Sequence, residues 1–353
     1  MFFKLLKDAL KVKNVRNKIL FTIFIIFVFR VGTHVTVPGI NAESLKQLSD
    51  LPFLNMLNLV SGNAINNFSI FSMGVSPYIT ASIIVQLLQM DIYPKFVEWG
   101  KQGEVGRRKL NQATRYITLV LAFVQSIGIT ASFNTLSSIS LVKTPNISTY
   151  LLIGSILTAG SIIVTWLGEQ ITDKGFGNGV SMIIFSGIIA SIPKMFSTIY
   201  EDFFVNVRTG DLTRSYIIVA LLIVVGLAIV FFTTFVQQAE YQIPIQYTKL
   251  VQGAPTSSYL PLKVNPAGVI PVIFASSITT IPSTILPFFS KVTWLSHLQG
   301  LLSYNTPSGM IIYAILIILF SFFYTFVQVN PEKTAEYLQK NGSYIPSVRP
   351  GRE

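Results

Sequence analysis

The chain has 353 residues, of which 51% are hydrophobic and 12% are charged, and its formal net charge is +11. A soluble protein carries about 25% charged residues, so the composition excludes an ordinary soluble domain. The sequence contains no cysteine, which excludes disulfides and cysteine-ligated metals. Its two histidines, His34 and His297, lie too far apart in the sequence to suggest a metal site. We therefore expect neither a metal ion nor a cofactor.

Apolar segments of the length of a membrane span recur along the chain, since a bilayer core about 30 Å thick needs roughly 20 apolar residues in a helix. The predicted spans are 19–37, 72–90, 116–132, 150–167, 178–193, 216–236, 265–289 and 309–329. A basic amphipathic helix is predicted before them, at 1–18. The glycine-rich run Gly175–Gly179 predicts a tight turn between the fourth and fifth spans, with Asn178 capping the fifth.

The lysines and arginines predict the orientation of these spans, because short cytoplasmic loops are enriched in them. With the N-terminus inside, most of the 26 basic residues fall on the cytoplasmic side. Both termini are therefore predicted to be cytoplasmic. The cluster Arg107–Lys109 fits either a topology signal or a docking surface, and charge alone does not separate the two.

Residues 50–72, on the outer side, are apolar enough to bury but too short and too rich in asparagine to span the membrane. Irregular backbone at membrane depth survives only inside protein or against a water-filled cavity. This segment predicts a re-entrant element. A helix lying on the outer surface remains the alternative.

An internal repeat links the second and seventh spans. Gly74–Ser82 and Gly268–Ser276 share glycine, valine, proline, isoleucine, alanine and serine at matching positions. The two spans cross in opposite directions, which predicts an inverted repeat of five-helix units with its working site between the halves. The halves are predicted at 19–193 and 194–353, with cytoplasmic loops at 237–264 and 330–353. Two such units need ten spans, so the second is expected to be incomplete.

Ionisable groups are missing from the middle of every predicted span, and Arg30 is the one internal charge. This argues against an ion-coupled transporter, which places such groups at the midplane. The sequence offers neither a nucleophile with a base nor a carboxylate pair, so it does not indicate an intramembrane protease. The spans instead carry hydroxyls and amides, which join membrane helices weakly and suit an interface that opens. Static packing by the same groups is the alternative.

Several motifs together are similar to those of the SecY family of bacterial protein-conducting channels. They are Val37–Ile40, Ser76–Ile84, Gly103–Lys109, Trp166–Ile171 with Gly177–Gly179, Leu260–Pro271 and Val348–Gly351. The resemblance implies an all-α bundle of two inverted halves with eight of ten transmembrane helices present. It also implies a passive channel in the cytoplasmic membrane that passes unfolded preproteins and releases apolar helices into lipid.

The resemblance further implies the partners and the site residues. The partners would be SecE, SecG, the SecA motor, the ribosome, signal peptides with their preproteins, and membrane lipid, with SecA or the ribosome supplying the energy. A pore ring is expected at Val75, Ile79, Val180, Ile184 and Ile273. A lateral gate is expected with spans two and three on one side and spans seven and eight on the other. Its residues are Thr80, Gln86, Gln125, Ser276, Ser277 and Ile281.

A plug is expected over 53–67, including Phe53, Leu54, Leu57, Asn58, Val60, Ser61, Ala64 and Asn67. Docking of SecA or the ribosome is expected at Arg107, Arg108, Lys109, Lys249 and Arg349. The 237–264 loop is less basic than the family pattern, which weakens the docking expectation there. A transporter of a neutral solute and an insertase-like scaffold remain the alternative functions.

Overall fold

The structure is a computed structural model of the chain. It describes residues 11–41, 64–89, 93–136, 142, 145–205, 212–247, 257–285, 301, 306–329, 331–340 and 342–346. Two compact units are present, one formed by Met1–Ser197 with Ser276–Met310 and the other by Thr198–Ala275 with Ile311–Glu353.

The described elements are mostly helices. In chain order they are α1 (Lys13–Gly32), α2 (Ser76–Leu87), α3 (Pro94–Lys101), α4 (Gly103–Leu136), α5 (Ile147–Lys174), α6 (Gly179–Tyr200), a π-helical turn (Glu201–Val205), α7 (Leu212–Gln238), β1 (Glu240–Tyr247), β2 (Ser257–Lys263), α8 (Ile270–Ile285), α9 (Pro307–Gln328), α10 (Pro331–Lys340) and β3 (Ser343–Tyr344).

Each predicted span overlaps one helix, namely α1, α2 or one of α4 to α9. Among the described residues, five helical segments are long and apolar enough to cross a membrane by themselves: Gly103–Ala131, Ile147–Lys174, Gly179–Val205, Thr213–Gln238 and Pro307–Phe326. The segment in α7 is the most apolar, with a mean hydropathy of 3.0. The predicted class, a polytopic helical membrane protein, is confirmed.

In the first unit, α4 packs along both α5 and α2, while α1 packs on α5 and α3 on α4. An apolar core joins the residues after α1 and the N-terminal part of α5 to the segment before α2. Its buried members are Val37, Ile40, Ile65, Phe68, Met73, Val142, Ile153 and Leu157. The core therefore holds irregular backbone, not helices alone.

In the second unit, the segments predicted as cytoplasmic loops, 237–264 and 330–353, contain a small sheet. β1 pairs with β2 in an antiparallel hairpin, from Glu240 opposite Lys263, and β3 from the tail pairs with the end of β1. The sheet order is β2-β1-β3. The prolines Pro244 and Pro261 hide these strands from sequence reasoning, since proline is disfavoured inside a sheet. The tail also contains the short helix α10.

Candidate functional site

The chain enters α2 through residues 64–75, here called the entry segment. Its backbone is tied to the residues after α1, because the amide of Val37 donates to the carbonyl of Phe68 and the amide of Ile70 donates to that of Val35, both at 3.0 Å. Phe68 adopts a φ of +40°, which is unusual for a non-glycine residue. Most of the segment is buried. Most of the predicted re-entrant segment, 50–63, lies outside the described residues, so the choice between it and a helix on the outer surface stays a prediction.

Two of the expected plug residues lie in this segment. Ala64 is fully buried, and the side-chain amide of Asn67 donates to the carbonyl of Thr33 at 3.4 Å. The other expected plug positions lie outside the described residues: Phe53, Leu54, Leu57, Asn58, Val60 and Ser61. The plug assignment as a whole therefore stays a prediction.

An aromatic contact fixes the middle of the entry segment against α1. The ring of Phe71 stacks on that of Phe29, with centroids 5.9 Å apart and planes at 6°. Phe71 also lies directly on Gly32, where an added Cβ would overlap the ring. A glycine is therefore needed at this point of α1, because any side chain would displace Phe71.

Two of the expected ring residues follow the entry segment at once. Val75 is the residue before the first turn of α2 and is 1% exposed, and Ile79 is 8% exposed. The hydroxyl of Ser161, in the middle of the 28-residue α5, donates to the carbonyl of Gly74 at 3.0 Å. The start of α2 therefore meets α5 about halfway along its length.

The other two ring residues of this unit, Val180 and Ile184, lie in the first turns of α6. The side chain of Asn178 accepts a hydrogen bond from the amide of Ser181 at 3.2 Å, so the predicted cap of this helix is confirmed. Gly177 has a φ of +76° in the turn before it. A Cβ on Gly179 would overlap the carbonyl of Gly168, so α6 begins in direct backbone contact with α5.

A hydroxyl that sequence reasoning missed holds the α5–α6 turn. Thr22 of α1 accepts a hydrogen bond from the amide of Phe176 at 3.0 Å and donates to the carbonyl of Lys18 at 2.9 Å. A second hydroxyl, that of Thr172, accepts from the amide of Gly179 at 2.9 Å. No sequence signal relates Thr22 to a residue 154 positions away.

The two ring pairs of this unit meet α5 at different levels. The chain before Val75 lies against Gly160 and Ser161, whereas Val180 lies against Gly168, about two helical turns further along α5. The fifth expected ring residue, Ile273, belongs to the second unit and is partly exposed.

The expected gate residues on α2 and α4 lie on neighbouring helices. Thr80 is buried, and its hydroxyl donates to the carbonyl of Ser76 at 3.1 Å. The side chain of Gln86 donates to the hydroxyl of Ser82 at 3.2 Å, and Gln125 of α4 is buried. The hydrogen bonds that Thr80 and Gln86 donate therefore stay within α2.

The expected gate residues on α8 are only partly described. Ser276 is half-buried, whereas the side chains of Ser277 and Ile281 lie outside the described residues. Within the second unit the start of α8 packs on α9, since the ring of Phe274 meets those of Phe320 and Tyr324 edge-on at 5.9 and 6.0 Å. Spans seven and eight are thus joined by aromatic packing.

The expected docking residues at 107–109 form the exposed start of α4. Arg107 and Arg108 are exposed. The ammonium of Lys109 lies 6.0 Å above the ring of Trp99 and donates to Gln102 at 3.4 Å, so this lysine is held against α3. Lys249 and Arg349 lie outside the described residues.

An ion pair that the sequence did not predict joins α4 to α5. Arg115 donates to the two carboxylate oxygens of Glu169 at 3.0 and 2.6 Å. The pair closes one end of a largely apolar groove of about 230 Å³ whose wall includes Trp166. In the sequence, Arg115 served only as one of the basic residues that predict the orientation of the spans. No sequence pattern relates it to Glu169, 54 positions away.

Comparison with solved structures gives the class of protein. A structure of a protein-conducting channel superposes with a TM-score of 0.61 at 16% identity, covering 96% of this chain and 79% of that one. A second, of a SecY protein whose plug domain stabilises the closed state of the translocation channel, gives a TM-score of 0.60 at the same identity. These likenesses show the fold of a polytopic channel protein.

Sequence comparison gives the family. The SecY family model matches residues 69–353. The protein translocase subunit SecY of Streptococcus gordonii is 72% identical over 356 residues, covering 100% of this chain and 82% of the relative. That of Lactococcus lactis subsp. lactis is 67% identical, covering 100% and 81%, and that of Bacillus subtilis is 50% identical, covering 99% and 82%.

The chain therefore belongs to the SecY family of protein-translocase channel subunits. It is a multi-pass membrane protein and a channel subunit rather than an enzyme. Family membership favours the channel over both the solute transporter and the scaffold.

Proposed function

We propose that this chain lines the path of unfolded preproteins through a Sec translocase in the bacterial cytoplasmic membrane and releases transmembrane segments sideways into lipid. Its N-terminus lies in the cytoplasm in this proposal, as the distribution of lysine and arginine predicts. The observation that carries the proposal is the start of α2, where the apolar Val75 and Ile79 are buried halfway along α5.

The seal is formed by a ring of apolar side chains from Val75, Ile79, Val180, Ile184 and Ile273. Apolar side chains at a constriction exclude water and ions by dewetting, yet give way around a passing chain. The burial of Val75 and Ile79 at the start of α2 supports this for the first unit. Residues 53–67 close the outer side as a plug.

The lateral gate opens between the pair α2–α4 and the pair α8–α9. Packing of α2 on α4 supports the first pair, and the aromatic contacts of Phe274 support the second. The hydroxyl of Thr80 and the amide of Gln86 bond within α2. Separation of the pairs leaves these bonds intact, which keeps the cost of opening low.

Energy comes from outside the subunit, from SecA or a translating ribosome, and SecE and SecG complete the channel. Docking uses the basic cytoplasmic residues Arg107, Arg108, Lys109, Lys249 and Arg349. The exposure of Arg107 and Arg108 at the start of α4 supports this. The sheet β2-β1-β3 joins the 237–264 segment to the tail, so both segments would meet a docked motor as one surface.

The gate is tested by a cysteine pair, Thr80→Cys with Ile281→Cys, in the assembled translocase. The protein has no native cysteine, so a crosslink reports only on this pair. A disulfide needs Cα atoms within about 7 Å, which we expect only in the closed gate. Oxidation should crosslink the pair and stop preprotein export, and reduction should restore export.

Each single cysteine variant serves as the control and should export normally under oxidant. Complete crosslinking with continued export would overturn the proposed gate. Failure of the pair to crosslink in a resting channel would show that α2 and α8 do not face each other there.

A further inference from the structure

The entry segment meets α5 at two adjacent small residues, Gly160 and Ser161. A Cβ on Gly160 would overlap the carbonyl of Ile70, so the main chain of the entry segment lies directly against α5. The next residue, Ser161, is 0% exposed, and its hydroxyl donates to the carbonyl of Gly74 at 3.0 Å. The contact at Gly160 leaves no room for a side chain, and the contact at Ser161 supplies a hydrogen-bond donor.

The bond from Ser161 to Gly74 lies where it can affect the position of the seal residues. Gly74 has a φ of +52°, and its amide donates to the carbonyl of Phe71 at 2.8 Å, so the chain turns sharply here before α2 begins. Val75 follows immediately and Ile79 lies one turn further on. A shift or rotation at Gly74 therefore moves both side chains together.

The buried hydroxyl of Thr165, on the same helix, does not make a contact of this kind. It donates to the carbonyl of Ser161 at 2.9 Å, within the helix. Such bonds are worth little, because the helix carbonyl already has a main-chain donor. Ser161 instead crosses 87 positions of sequence to reach a turn.

We propose that Gly160 and Ser161 are positioning residues of the closed channel, which fix the depth and rotation of Val75 and Ile79 in the seal. This inference rests on the proposed pore ring. Gly160 sets the distance between α5 and the entry segment, and Ser161 fixes the turn at Gly74. Both residues are buried, so we expect neither to touch the translocating chain.

The main test is Ser161→Ala in the assembled translocase. We expect export of a preprotein with a defective signal sequence, and ion conductance of resting channels in a planar bilayer, to rise about three- to tenfold, the shift expected from loss of one buried hydrogen bond. Export of a normal preprotein should stay unchanged. A role in stability alone would lower both exports together.

Three variants complete the design. Thr165→Ala, which removes a buried hydroxyl from the same helix, should leave the resting conductance unchanged. Ser161→Cys keeps a weak donor of similar size and should restore most of the seal. Gly160→Ala should leak like Ser161→Ala, because the added Cβ displaces the Ile70 carbonyl.

Ile273→Asn is included to separate the two proposals. If Ile273→Asn leaks and Ser161→Ala leaks no more than Thr165→Ala, the ring stands and the positioning role is overturned. If Ile273→Asn does not leak in an expressed, assembled channel, the pore ring itself fails, and the positioning role fails with it.

Discussion

Replacing Thr22 by valine tests how the start of α6 is held. Valine keeps the shape of threonine but has no hydroxyl. Thr22 is 3% exposed, and its hydroxyl accepts the amide of Phe176 in the α5–α6 turn at 3.0 Å. In Thr22→Val that amide loses its partner at a part-buried site.

The expected loss in free energy of unfolding follows from the Phe176 amide that is left unpaired. A fully buried amide without an acceptor costs about 1–3 kcal/mol, and we expect the lower end of that range, about 1 kcal/mol, for this part-buried amide. The second bond of the hydroxyl, to the carbonyl of Lys18 at 2.9 Å, adds little, because that carbonyl faces the main-chain donor of its own helix. Thr118→Val is the matched control, since Thr118 is 2% exposed and donates only within α4, to Thr114 at 2.7 Å. We expect the control to cost less than about 0.5 kcal/mol.

Thermal unfolding of the purified protein in detergent measures the difference. The midpoint of Thr22→Val should fall by a few degrees, roughly 2–4 °C per kcal/mol for a chain of more than 150 residues, while that of Thr118→Val stays near the parent. Equal midpoints for the two variants would refute the reasoning, because they would show that the Phe176 amide does not depend on Thr22.

Two further predictions concern transport. Ile273→Asn should raise the export of a preprotein with a defective signal sequence, since a polar side chain in the ring admits water. An unchanged level at normal expression would count against the pore ring as assigned. Arg349→Glu should block SecA-driven export without loss of assembled protein, because it reverses a charge at the proposed docking surface, whereas Lys340→Glu in α10 applies the same charge change nearby and should have little effect. Normal export by Arg349→Glu would remove that residue from the docking surface.

Local sequence determined the parts of this fold that depend on neighbours along the chain. Long apolar runs such as that in α7 predicted membrane helices, because the bilayer demands internal hydrogen bonding over a fixed length. Asn178 and the glycines around it predicted the turn and cap before α6, since capping involves residues three positions apart. The motifs from Ser76 and from Trp166 were enough to indicate the family.

Other features were decided only by the tertiary structure. The bonds of Thr22 to Phe176 and of Ser161 to Gly74, and the ion pair of Arg115 with Glu169, join residues 54 to 154 positions apart. Hydropathy predicts that a helix lies in the membrane, but it does not predict which neighbouring helix each of its faces contacts. The lipid gives no hydrophobic driving force that would favour one pairing of helices over another. The hairpin of β1 and β2 was missed for a related reason, because partners along the strands outweigh two prolines whose local preference is against a sheet.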